Sequence, residues 1–76
     1  MKTTELNKGD YFRIKGNDNV FELDKVIIRP TVFGESTIVK CTNIITDQYC
    51  ILFPNIEVEC VLSETEKQEV NDYYGI

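Results

Sequence analysis

From residue 9 to residue 62 the chain alternates short apolar bursts with clusters of turn-forming residues. Gly9-Asp10, residues 16–19, residues 30–35, residues 46–48 and Pro54-Asn55 are rich in Gly, Pro, Asn, Asp and Ser or Thr. The stretches between them are rich in β-branched and aromatic residues, so the pattern predicts five strands. In the first, residues 11–15, Phe12 and Ile14 alternate with Tyr11, Arg13 and Lys15. A period of two places successive side chains on opposite faces, so Phe12 and Ile14 are expected inside and the other three outside. The second strand, residues 20–29, turns Phe21 and Leu23 inward. Val26-Ile27-Ile28 then breaks the alternation, which predicts a bulge or bend near Asp24-Lys25.

The third and fourth strands are expected at residues 37–45 and 49–53. The fifth, residues 56–61, alternates Ile56, Val58 and Cys60 on an inner face with Glu57 and Glu59 on an outer one. Residues 16–19, Gly-Asn-Asp-Asn, form the turn of a hairpin, because these types tolerate positive φ or bond their own backbone. Short strands at intervals of about ten residues, joined by tight turns, are most simply closed into a small antiparallel barrel, since closure removes exposed strand edges. The expected fold is therefore mainly β: a five-stranded antiparallel barrel over residues 6–62.

The pattern changes after the last strand. Ser63-Glu64-Thr65-Glu66 fits a capping box, in which the serine hydroxyl and the glutamate carboxylate satisfy each other's backbone amides, and it predicts a short helix over residues 64–74. Acidic residues in its first turn suit the positive end of the helix dipole, and Gly75 stops it. Glu66, Val70, Tyr73 and Tyr74 are expected to share one side at three- and four-residue spacing. No linker or repeat divides the chain, so residues 1–76 are read as a single domain.

Two stretches carry a resemblance. "LNKGDYFRIK", with Leu6 three residues before Gly9-Asp10 and a strand directly after, resembles the opening of many SH3-like small barrels. "ILFPNIEVECV" resembles their last two strands separated by a short turn containing Pro. The chain is most similar in this respect to short SH3-like proteins of bacteria and phages, and the resemblance implies a fold without implying a shared activity. It lacks the Trp and the "ALYDY"-like segment of domains that bind proline-rich peptides.

Composition narrows the function. A chain of 76 residues with 42% hydrophobic and 28% charged residues is ordinary for a small globular domain, and its core must be thin. No apolar run approaches the roughly 20 residues of a membrane span, and the first ten residues hold no secretory apolar segment, so a cytoplasmic protein is expected. Cys41, Cys50 and Cys60 are odd in number, lack C-x-x-C spacing and lie among apolar neighbours, which reads as buried free thiols. The chain has no His, so the commonest general base is missing and neither catalytic nor metal-ligating nor cofactor-binding residues are assigned. Glu57 and Glu59, about 7 Å apart on one strand face, are the best acid pair, and a solvated strand face explains them equally well.

What remains is binding. Net charge is −5, with seven basic against six acidic groups in residues 1–40 and one against seven in residues 41–76. Such an acidic balance favours another protein as partner over nucleic acid, which requires clustered cations. The candidate interaction residues are Tyr11, Arg13, Lys15, Phe33, Tyr49, Tyr73 and Tyr74. Phe33, in "RPTVFGES", either plugs one end of the barrel or projects as an anchor; adjacent Tyr73 and Tyr74 cannot both face one core. The alternative is a nucleic-acid-binding accessory protein of SH3-like or KOW type, with Tyr11, Arg13 and Lys15 as its face and Tyr49 with Arg29 or Lys40 extending it. Monomer and homodimer are both open, the latter through an exposed edge such as the fifth strand.

Overall fold

The computed structural model describes residues 1–75; Ile76, the last residue of the expected single domain, lies outside the described residues. Five strands form one antiparallel sheet: β1 (Tyr11–Ile14), β2 (Phe21–Thr31), β3 (Gly34–Asn43), β4 (Gln48–Leu52) and β5 (Val58–Val61). A 3-10 turn at Thr3–Glu5 precedes them and a helix, α1 (Glu64–Tyr74), follows. The strand order is β4-β3-β2-β1-β5. The closed barrel expected from strand spacing is not formed, because β4 and β5 do not pair and remain the two edges of an open sheet.

The break in alternation on β2 has the predicted cause. Leu23 faces Cys41 and Lys25 faces Lys40, so Asp24 is an extra residue between them. One added residue shifts the pleat by half a period, which returns Val26 to the inner face after Leu23. The Thr42 hydroxyl donates to the Asp24 carboxylate at 2.8 Å and holds the bulge. Inside the sheet, Phe12, Phe21, Leu23, Val39, Cys41, Val58 and Leu6 form the main core, with the Phe12 and Phe21 rings 5.8 Å apart.

A second bulge was not visible in the sequence. Arg13 faces Cys60 whereas Ile14 faces Val58, so Glu59 is the extra residue on β5. The phase shift turns Cys60 onto the face of Arg13 and sets Val61 opposite Phe12, while Leu62 packs with Tyr11 on the helix side of the sheet. The expectation that all three thiols are buried is therefore corrected: all are free, but Cys41 is buried, Cys50 half-buried and Cys60 exposed.

The capping box at the start of α1 forms as predicted: Glu66 N–H donates to Ser63 Oγ at 3.2 Å and Ser63 N–H donates to the Glu66 carboxylate at 3.1 Å. Gly75 ends the helix in the left-handed region at φ 71°, where a side chain would be strained. Glu66, Val70, Tyr73 and Tyr74 do share one side of the helix, and it is Val70 of that side, with Lys67 and Asn71 beside it, that meets the sheet. Lys67 Nζ donates to the Gly9 carbonyl at 2.8 Å and lies 4.8 Å from the Tyr11 ring centre, while the Tyr11 hydroxyl donates to Asn71 Oδ1 at 2.6 Å. Val70 completes the contact over a second cluster of Tyr11, Val20, Ile44 and Leu62. Both faces of β1 are thus covered, one by the core and one by the helix.

β2 and β3 outrun the rest of the sheet. β4 pairs with β3 only from Val39 to Asn43, so the ladder from Ile28–Thr37 to Thr31–Gly34 is a two-stranded ribbon. β2 alone, at eleven residues, spans about 36 Å, and the molecule measures 45 × 21 × 20 Å. Residues 30–35, expected to be a loop, instead continue the strands up to the turn at Val32-Phe33. Pro30 is tolerated there because a two-stranded ribbon needs no amide on its outer side.

Candidate functional site

The structure separates the seven candidate residues into three groups. Tyr11 is withdrawn from any binding surface: it is 4% exposed beneath α1, and burial, then the nearby Glu22 carboxylate, pushes its phenol above the ordinary tyrosine range. Its expected outward position was right as to face, but the helix covers that face. Arg13 is half-buried and donates to the Asp18 carbonyl at 3.2 Å, closing the hairpin turn, while Lys15 is exposed. Tyr11, Arg13 and Lys15 therefore do not form a common aromatic and cationic surface.

Tyr73 and Tyr74 meet edge to face, with ring centres 4.8 Å apart at 78°. Tyr73 is 81% exposed and Tyr74 less so, as expected for neighbours that cannot share one direction. With Arg13, Glu66, Glu69 and Val70 they line a shallow depression of about 270 Å³ between helix and sheet. Its carboxylates outnumber its single cation.

The third group lies on the far side. Phe33 projects: it is 97% exposed and its neighbour Val32 is 94% exposed, at the tip of the β2–β3 ribbon. The Thr31 side chain holds this tip, its hydroxyl donating to the Gly34 carbonyl at 2.6 Å and accepting from Phe33 N–H at 3.2 Å. Because these bonds hold the backbone of the turn, little main-chain freedom is left to lose there on binding. Tyr49 stands on β4 at 87% exposure, opposite Thr42, with Ile51 next on the same face and opposite Lys40. Lys40 in turn faces Lys25. Asp24, Lys25, Lys40, Cys41, Tyr49, Cys50 and Ile51 line an open depression of about 820 Å³. Arg29, facing Ser36 on the ribbon, lies beyond it.

Sequence reasoning missed Ile51 and Phe53, which are exposed together with Tyr49. The signal was the alternation in "QYCILF" itself: Cys50 and Leu52 pack on the core, so the intervening residues have to face solvent.

Glu57 of the candidate acid pair is engaged by cations, and the thiols of Cys41 and Cys50 are held protonated. Glu57 accepts from the N-terminal ammonium at 3.2 Å and Lys2 Nζ lies 3.3 Å away. These partners hold its carboxyl below the usual range, the opposite of what a general acid needs. The bulge at Glu59 also breaks the regular spacing from Glu57. Burial, then Cys50 and Asp24, pushes the Cys41 thiol up to about 12, and burial, then Asp24, raises Cys50. Thiols kept protonated are poor nucleophiles. Maleimide labelling of the native chain followed by mass spectrometry is accordingly expected to modify Cys60 first and Cys50 slowly, with Cys41 reacting only after denaturation; fast native labelling of Cys41 would contradict its burial. Among the described residues, no group of three or more Cys, Asp or Glu is placed to hold a metal ion, and no helix is long and apolar enough to cross a membrane. No protein family, curated relative or solved structure matches this chain.

Proposed function

We propose that this chain is a non-catalytic binding module, an SH3-like small β domain that docks on another protein through the tip of its β2–β3 ribbon. The observation that carries this reading is the exposure of Phe33 and Val32, two large apolar side chains standing in water at the tip of the ribbon. An isolated two-stranded ribbon is marginal in water, so extending one by ten residues to present an aromatic has a cost that a partner offsets. Three free thiols suit a reducing, cytoplasmic setting.

The test is affinity capture from lysate of the source organism with wild type and Phe33→Ala side by side. Phe33→Ala is expected to weaken the captured partner by about tenfold or more while the melting temperature stays within about 3 °C. Equal capture by both proteins would remove Phe33 from the interface. A second reading, nucleic-acid binding, is favoured by one arrangement: Tyr49 on the same sheet face as Lys25 and Lys40. Strong, salt-sensitive retention on heparin or single-stranded DNA at low salt would support it, because release of counterions makes such contacts steeply salt-dependent.

A further inference from the structure

We propose that β4 is a self-pairing edge, and that two copies of this chain join their sheets through it across a two-fold axis. The two edges of the open sheet are treated very differently. Along β5, Val58 N–H donates to the Met1 carbonyl at 2.8 Å, Lys2 bridges Glu57, and the N-terminal ammonium and Lys2 Nζ both meet the Glu57 carboxylate. That edge is covered by the chain's own N-terminal residues and carries charge at Glu57 and Glu59. β4 has neither protection. Among the described residues its backbone bonds only to β3, and Gln48-Tyr49-Cys50-Ile51-Leu52 contains no charge and no proline. Bare, uncharged edges without proline are the ones that recruit another strand.

The occupant is a second copy because the strand is complementary to itself. With the axis through Cys50, the middle of the five residues, Tyr49 faces Ile51 of the partner subunit and Ile51 faces Tyr49 of the partner subunit. Those side chains are 87% and 68% exposed in the single chain. Paired this way they form one apolar row of four side chains. On the other face the two Cys50 side chains meet beside the core. A molecule of net charge −5 repels its own copies, yet this contact brings no charged side chain into the ladder. The nearest like charges, Lys40 of each copy, sit one strand back on each side. Three strand spacings and a two-residue offset put them about 16 Å apart, beyond the roughly 8 Å over which salt leaves charges unscreened. Phe33 takes no part, so this contact and the partner-binding reading succeed or fail separately.

Sedimentation equilibrium of the full chain from about 5 to about 500 µM tests it directly. The expected result is a mass rising with concentration to twice 8.8 kDa, and a dissociation constant raised about tenfold or more by Ile51→Lys. Tyr73→Lys, an equally exposed change on α1, is expected to leave the dimer intact. Circular dichroism confirms that both variants fold, and Tyr49→Lys gives a second change on β4 should Ile51→Lys not do so. In the wild type, backbone amides of Gln48–Leu52 should exchange more slowly at high concentration than at low. A chain that stays monomeric throughout, or a dimer indifferent to Ile51→Lys and Tyr49→Lys, would overturn the proposal.

Discussion

Replacing Phe12 by alanine is expected to lower the melting temperature by at least about 15 °C. Phe12 is fully buried between the sheet's inner side chains and stacks on Phe21. Truncating a buried phenylalanine costs about 3–5 kcal/mol, from lost apolar contact plus the cavity left behind. A chain of 76 residues has about 4–11 kcal/mol in total, so the loss removes a large share of it. Neighbours cannot easily collapse into the gap, because Val39 and Cys41 are themselves fixed in the β3 ladder opposite Val26 and Leu23. Urea unfolding followed by circular dichroism measures the effect: the midpoint should fall steeply with little change in slope. A loss below about 1 kcal/mol would show that Phe12 is not central to the core.

Tyr11→Ala is expected to release α1 from the sheet, with a loss of about 3 kcal/mol. The helix has eleven residues, too few to persist alone in water, and none of them is fully buried, so its order depends on what it touches. Tyr11 supplies most of that: a ring under Lys67 and Val70 and a hydroxyl bonded to Asn71. Ellipticity at 222 nm should therefore fall under conditions where the sheet remains folded. Tyr11→Phe keeps the ring and removes only the hydrogen bond, for about 1 kcal/mol. A double-mutant cycle with Asn71→Ala separates the two contributions and should return a coupling of about 1 kcal/mol. No coupling would mean that the hydroxyl and Asn71 contribute independently.

What the sequence revealed and what it hid follow from the range of the forces involved. The inward placement of Phe12 and Ile14, the bulge at Asp24, the Asn17 turn and the Ser63–Glu66 box are local: each is decided within a few residues, by the pleat or by a side chain reaching its own backbone. Tyr11 was placed on the right face, but its burial depends on a helix more than fifty residues away. Cys60 was misplaced because the extra residue at Glu59 shows only in the pairing of β5 with β1. Closure of the sheet is more distant still, since it depends on whether β4 and β5 meet. Of the candidate surface, the exposure of Tyr49 could be inferred from alternation, and adjacency implied that Tyr73 and Tyr74 differ without saying which is the more exposed. That of Phe33 could not be inferred, because the composition of residues 30–35 read as a loop whereas β2 and β3 pair through Pro30 to the turn itself.

Residue-resolved amide hydrogen exchange tests the central claim most directly: that a core gathered on β1 to β3 supports a ribbon whose tip stands free. Slow exchange, approaching that of global unfolding, is expected at Phe12, Leu23, Val39 and Cys41, and rapid exchange at Val32 and Phe33. Protection of Val32 and Phe33 equal to that of Phe12 would contradict that claim, because the tip would then be packed into the fold rather than offered to a partner.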